Sequence, residues 1–234
     1  MAEKPFAVLL FSRLPALGRV KTRLLPRFSE EESLALHRAL LSDSLDLIRR
    51  VAETTGASTW LYLSEEGPLD SEISSHLDTC PVLTQRGADL GERLLHAFQE
   101  RFEAGAEKVV VIGSDSPHIP SAVIARAIDE LASHEVALGP ARDGGYYLLG
   151  LARLHASLLA GMPWGSSHVY RETVRRARRE GLSLASLPAF SDVDVPESVA
   201  ALWDDLSKRG SEAGPEMPES CYRLLREWAQ QGKL

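Results

Sequence analysis

Five basic residues and no acidic one fall between Phe11 and Phe28: Arg13, Arg19, Lys21, Arg23 and Arg27. In a chain of net charge −7, a local reversal of sign suits a small anionic ligand better than a long polyanion. The overall charge also disfavours nucleic acid as a partner. Arginine grips phosphate oxygens as a two-pronged fork, and lysine adds a compact charge. Arg13, Lys21 and Arg23 are therefore candidate phosphate ligands. Two familiar phosphate loops are excluded: Val20 stands where a P-loop requires glycine before its lysine, and no GxGxxG occurs. A solvated basic loop would read the same way.

The acidic candidates lie far along the chain. Gly113-Ser114-Asp115-Ser116-Pro117 ends the most apolar run, KVVVIG. Hard divalent cations such as Mg²⁺ or Mn²⁺ favour carboxylate oxygen, and Mg²⁺ uses one or two protein carboxylates beside phosphate and water. Asp115 is thus a candidate metal ligand, with a helix-capping role as its structural alternative. Asp192 and Asp194 flank Val193 and face one side of an extended segment, which would suit a second ligand; a helix start at Pro196 is the alternative there. In Asp143-Gly144-Gly145 the paired glycines permit positive φ or close approach of a ligand, as they also would in an ordinary tight turn. The DVDV string is similar to the nucleophile motif of haloacid-dehalogenase-like phosphatases. That motif follows the first strand of its fold, whereas this string lies near the chain's end, so the match is set aside.

Alternating apolar runs and amphipathic segments supply the frame. Strands are predicted at 5–12, 58–64, 81–85, 108–113, 135–140, 146–151 and 182–188. Helices are predicted at 29–54 (opened by Ser29), 89–104, 120–133, 166–180, 196–208 and 219–230. This alternation indicates one α/β domain over 1–234 with a mostly parallel sheet, helix 219–230 packing on it. Ligands of such sheets bind beyond the carboxyl ends of strands, which would bring the basic loop and Asp115 to one crevice. Residues 210–219 read as a surface connection, and Arg171, Arg175, Arg176, Arg178 and Arg179 as a solvated helix face. Trp164, Ser166, Ser167, His168 and Thr173 stand at a loop-to-helix start, within reach of a ligand or of a cap.

At 234 residues, 44% hydrophobic and 25% charged, the chain has ordinary globular composition. Cys80 and Cys221 are too far apart in sequence to suggest a zinc site or a disulfide framework, which fits a reducing cytoplasmic compartment. The apolar run at the amino terminus is short and suits a buried strand better than a leader. No run approaches the ~20 residues of a membrane span, so a soluble protein without a membrane partner is expected.

Together, FSRLPALGRVKTRLLP, GADLGERLLHAF, GSDSPHIP, GPARDGGYYLLGL, the WGSSHVYRET stretch and SDVDVP occur in an order that resembles a family of bacterial GT-A-like transferases. These are described as nucleotide-diphospho-sugar transferases or glycosyltransferases, some named for an association with arsenosugar biosynthesis. The family is also similar to phospholactate guanylyltransferase and molybdopterin nucleotidyltransferases. The resemblance implies a three-layer α/β/α fold. It implies that Arg13, Lys21 and Arg23 hold donor phosphates, and that Asp115 and Asp194 bind Mg²⁺ or Mn²⁺. Gly91 and Arg93 would lie near the base or acceptor, and Gly144 and Gly145 near the phosphates. Asp143 is the most exposed candidate for a general base. The implied partners are a nucleotide-sugar or nucleoside triphosphate and a small-molecule acceptor, with a homodimer allowed. Three readings follow: glycosyl transfer from a nucleotide-sugar, nucleotidyl transfer to a phosphorylated acceptor, or a regulatory nucleotide binder without turnover. The chain lacks the glycine-rich opening loop of sugar nucleotidyltransferases, and Ser114-Asp115-Ser116 replaces the Asp-x-Asp triplet of many glycosyltransferases.

Overall fold

The computed structural model describes residues 4–210 and 214–234. Its strands are β1 (Phe6–Ser12), β2 (Ser58–Leu63), β3 (Val82–Thr84), β4 (Lys108–Gly113), β5 (Val136–Pro140), β6 (Tyr146–Leu151) and β7 (Leu184–Ser186). They form one sheet in the order β3-β2-β1-β4-β6-β5-β7. Strand β6 runs antiparallel to both neighbours, and the other pairings are parallel. The helices are α1 (Glu30–Thr55), α2 (Ser71–Ser74), α3 (Leu90–Ala104), α4 (Ser121–Glu130), α5 (Val169–Arg179), α6 (Pro196–Arg209) and α7 (Glu219–Gln230).

Strand side chains alternate between faces, and β1 shows what that does to the core. Val8 and Leu10 join Leu45 and Ile48 of α1 and Ile124 and Ile128 of α4. Ala7, Leu9 and Phe11 pack on the other side with Leu94 and Phe98 of α3 and Ala177 of α5. Burial on both faces is why β1 and β4 read as continuous apolar runs, and it produces the three α/β/α layers. The far side of α1 carries a third cluster, in which Leu36 and Leu40 meet Leu202 and Leu206 of α6 and Leu225 and Trp228 of α7. Phe28 stacks on Trp228 with ring centroids 4.8 Å apart. Buried Asp43 of α1 accepts the Ser220 and Cys221 N–H groups, satisfying donors that the first turn of α7 cannot pair internally.

Helix α1 starts where Ser29 predicts. The Ser29 hydroxyl accepts from Glu32 N and the Glu32 carboxylate accepts from Ser29 N, a reciprocal cap. Several boundaries differ from expectation. Helix α5 begins at Val169 rather than 166, because Gly165 at φ 76° and a turn through Ser166 precede it. Strand β7 is three residues long, and the one-turn helix α2, capped by Asp70, has no counterpart in the sequence reading. The expected connection at 210–219 falls partly on 211–213, outside the described residues. Its remainder is no loose surface: Glu216 accepts from Ser121 and Met217 is buried against α6 and α7. On α5 the arginines Arg171, Arg175, Arg178 and Arg179 are exposed as expected, and one departs from that reading. Arg176 donates to the carbonyls of Ser157, Ala160 and Gly161 and to Glu172, so it fastens the preceding loop rather than facing solvent.

From β1 the chain builds β2 and β3 to one side, then crosses through α3 to place β4 on the other. That reversal opens a crevice beyond the carboxyl ends of β1 and β4.

Candidate active site

The loop leaving β1 carries its basic residues over this crevice. It turns at Gly18, φ 68°, and its far end is pinned by buried Leu24 in the cluster under α6 and α7. Between them Lys21 adopts left-handed backbone, φ 49°, alone among the described non-glycine residues. That conformation costs an L residue about 1–2 kcal/mol, so the side chain must be held firmly. Its ammonium donates to Asp115 Oδ1 at 2.6 Å, Asp194 Oδ1 at 2.7 Å and the Val193 carbonyl at 2.7 Å. Three bonds use all three N–H groups of an ammonium, and the side chain is only 4% exposed.

Backbone pairing brings the two carboxylates together. Asp115 leaves the end of β4, and its carbonyl accepts the Val193 N–H at 2.9 Å, docking the 192–194 segment there. Neither aspartate is spent on a cap. Pro120 stands at the N-cap of α4 and Val195 at that of α6, where the Ser198 hydroxyl accepts from Asp194 N and Val195 N. Asp192 takes another direction and accepts from the Ser116 hydroxyl at 2.6 Å.

The electrostatics follow from this packing. Burial pushes the Asp115 carboxyl up, but the Lys21 ammonium, aided by His37 and Arg13, outweighs it and holds the group below the usual carboxylate range. Burial likewise lowers Lys21, and its two carboxylate partners more than restore it. Asp192 has no such cation beside it among the described residues. Burial, with Asp115, Asp143 and Asp194 nearby, pushes it up to about 6 against the opposing Ser116 bond.

A cleft of about 720 Å³ surrounds this group. Arg13, Arg19, Lys21, Arg23 and Arg93 line it with Asp115 and Asp194, and Leu14 and Leu90 add apolar wall. The guanidinium of Arg13 donates to the Arg19 carbonyl, Arg93 to the Gly87 carbonyl, and Arg19 pairs with Glu65. Arg23 lies 3.7 Å from Asp194 Oδ2.

Four expected residues are absent from that wall. Gly91 is buried in the first turn of α3, where a Cβ would stand 2.5 Å from the Leu159 carbonyl oxygen. Gly144 sits at φ 94°, where a Cβ would fall 2.2 Å from the Ser167 carbonyl oxygen, and its own carbonyl accepts the Tyr170 N–H. Close backbone packing is enough to require glycine at both positions. Asp143 accepts from Gly145 N at 2.9 Å, so the Asp143-Gly144-Gly145 turn is tied to itself and to the start of α5.

Other cleft residues carry no signal in the sequence. His37, a lone histidine in α1, faces the Arg13 carbonyl through Nε2 at 3.1 Å; burial holds the ring below its usual value. A neutral ring must donate from Nε2 to that carbonyl, which leaves Nδ1 without a hydrogen-bond partner among the described residues. Gln85 donates to the carbonyls of Ser12 and Tyr62, and Ser114 donates to the Ser12 hydroxyl, fixing the strand ends relative to each other.

The donor set suits a hard cation. Two carboxylate oxygens and a carbonyl converge on one point, now held by the Lys21 ammonium. Among the described residues no group of three or more His, Cys, Asp or Glu could hold a metal ion. A Mg²⁺ or Mn²⁺ ion held by Asp115 and Asp194 would need phosphate or water oxygens for the rest of its shell. No helix among the described residues is long and apolar enough to cross a membrane.

Comparison with known proteins agrees with this architecture. The model of the family described as "Uncharacterized protein conserved in bacteria (DUF2064)" matches residues 47–166. A Desulfovibrio desulfuricans G20 protein, provisionally described as a nucleotide-diphospho-sugar transferase, is 30% identical. The match covers 97% of this chain and 96% of that one, with a TM-score of 0.81. A cytidylyltransferase from Leptospira borgpetersenii shares the fold at 15% identity, over 97% of this chain and 95% of that one, TM-score 0.55. A nucleotidyl transferase from Methanothermobacter does so at 15% identity, over 88% and 99%, TM-score 0.57. No curated protein matches. The chain belongs to the DUF2064 family and has the nucleotide-diphospho-sugar-transferase-like α/β fold.

Proposed function

We propose that this DUF2064 protein is a transferase that binds a nucleotide-diphospho-sugar in the cleft over β1 and β4 and passes its glycosyl group to a small acceptor. One observation carries the reading: residues from three distant segments, Lys21, Asp115 and Asp194, meet within 2.7 Å in a cleft rimmed by arginines. The full-length likeness to the Desulfovibrio protein supports the donor class.

In this reading Arg13, Arg23 and Arg93 grip the donor phosphates and hold the anomeric carbon toward the acceptor, an orienting effect that removes much of the entropic barrier. Leu14 and Leu90 provide apolar surface for the flat face of a base. Asp115 and Asp194 are the residues that would hold Mg²⁺ or Mn²⁺, which supplies charge neutralisation at a diphosphate leaving group. The arginines add fixed positive charge where that negative charge develops. Asp143, tied into its own turn outside the wall, has no part in this reading.

A second reading, nucleotidyl transfer from a nucleoside triphosphate to a phosphorylated acceptor, is favoured by the number of cations. Four arginines line the cleft besides Lys21, and that density suits three phosphates as well as two. Incubation with a panel of nucleotide-sugars and Mg²⁺ or Mn²⁺ separates the two. Release of nucleoside diphosphate, lost in Asp115→Asn, supports glycosyl transfer. Pyrophosphate release from a triphosphate selects the second reading, and turnover of neither donor class sinks both.

A further inference from the structure

We propose that Lys21 and a divalent cation share one site, so that Lys21 must let go of Asp115 and Asp194 before those carboxylates can take the ion or its ammonium can reach a phosphate. The inference rests on the reading that Asp115 and Asp194 hold the ion. It adds that Lys21 serves as a tethered stand-in for that ion and then as a phosphate ligand.

Three features point to the exchange. First, the ammonium is saturated: its three N–H groups go to Asp115 Oδ1, Asp194 Oδ1 and the Val193 carbonyl. A lysine so engaged has no donor left for a ligand, although it lines the cleft and its neighbours Arg13 and Arg23 line it too. Second, among the described residues Asp115 and Asp194 are the two aspartates that line the cleft, both already bonded to this ammonium, and an ammonium and a metal ion cannot both stand between them. Third, Lys21 reaches this position through left-handed backbone, φ 49°. Departure from the carboxylates would allow the loop to relax that conformation, which offsets part of the cost of breaking the three bonds.

Charge favours the exchange only when phosphate is present. Two carboxylates and one ammonium leave a single negative charge, whereas two carboxylates and a divalent ion leave none and release the ammonium. Without an anion to receive it, the released Lys21 would sit among Arg13, Arg19, Arg23 and Arg93, and like charges oppose that placement. A phosphate chain removes the opposition. Cation and phosphate should therefore bind with positive coupling, and each should bind weakly alone.

The test measures binding of Mn²⁺ alone by loss of its free-ion electron paramagnetic resonance signal. Lys21→Met and Lys21→Gln should each bind Mn²⁺ on the order of tenfold more tightly than the wild-type chain, within the usual range of coupling between sites. Asp115→Asn should abolish the binding. Equal Mn²⁺ affinity in the wild type and both Lys21 variants, still lost in Asp115→Asn, would overturn the exchange and leave the metal reading standing. No Asp115-dependent Mn²⁺ binding in any chain would overturn both. A measurement on the wild type covers the case in which the variants do not fold. The Lys21 ammonium resonance, shielded from solvent in ¹⁵N-lysine spectra, should shift when Mg²⁺ and inorganic tripolyphosphate are added together. An unchanged resonance would refute the proposal.

Discussion

The backbone at Lys21 sets up a comparison between two substitutions that remove the same side chain. Lys21→Ala and Lys21→Gly both delete the ammonium, but only glycine adopts φ 49° without steric cost. Relief of left-handed strain is worth about 1–2 kcal/mol, and the greater freedom of glycine in the unfolded chain takes back about 0.4–1 kcal/mol. The glycine variant should thus be the more stable of the two by about 1 kcal/mol, a melting difference of roughly 2–4 °C for a chain of this size. Both should fall below the wild type. A fully buried pair that loses one partner costs roughly 3–5 kcal/mol, but Asp115 and Asp194 stay 40% and 36% exposed, so about 1–3 kcal/mol is expected. That deficit has a defined pH dependence. Lys21 lowers the Asp115 carboxyl, so the stabilisation is present above the unfolded carboxylate value of about 4 and fades as pH falls through the folded value. Urea or thermal unfolding of the three chains at pH 7 and below pH 4 reads all of this. An alanine variant as stable as the glycine variant at pH 7 would show that no backbone strain is stored at Lys21.

Three further outcomes follow from the same structure. Asp192 is pushed up to about 6, so its ionisation costs stability as pH rises from about 4 through 6. Asp192→Asn should raise the melting temperature at pH 8 by more than at pH 5, with a gain of about 1–2 kcal/mol after discount for partial exposure; a gain independent of pH would count against this. Gly144→Ala should destabilise by at least about 2 kcal/mol, because it combines φ 94° with a Cβ 2.2 Å from the Ser167 oxygen, and denaturant titration measures it. Arg13→Ala and Arg93→Ala should weaken binding of nucleotides or tripolyphosphate, read by the loss of their thermal shift, without lowering stability by more than about 1 kcal/mol.

The element types and their order were legible because they depend on local pattern. Apolar β1 and β4, the Ser29 cap of α1 and the alternation of strands and helices each rest on residues a few positions apart. The chemistry-bearing types were legible too: a phosphate-compatible basic loop after β1 and aspartates at the exits of β4 and before α6. Partnership was not. Asp143, Gly91 and Gly144 have site-like compositions, yet both glycines also meet close backbone packing and Asp143 also closes its own turn, so residue type alone does not separate the two roles. His37 and Gln85 reach the cleft with no spacing to announce them.

Sequence alone therefore determined which groups could hold phosphate or a cation, since that is a property of each side chain. Only the tertiary structure decided that Lys21 meets Asp115 and Asp194, 94 and 173 residues away, and that all three of its donors are taken. The physical reason is that such contacts arise where β1 and β4 lie side by side and a backbone hydrogen bond docks Val193 onto Asp115. No local periodicity encodes that crossing.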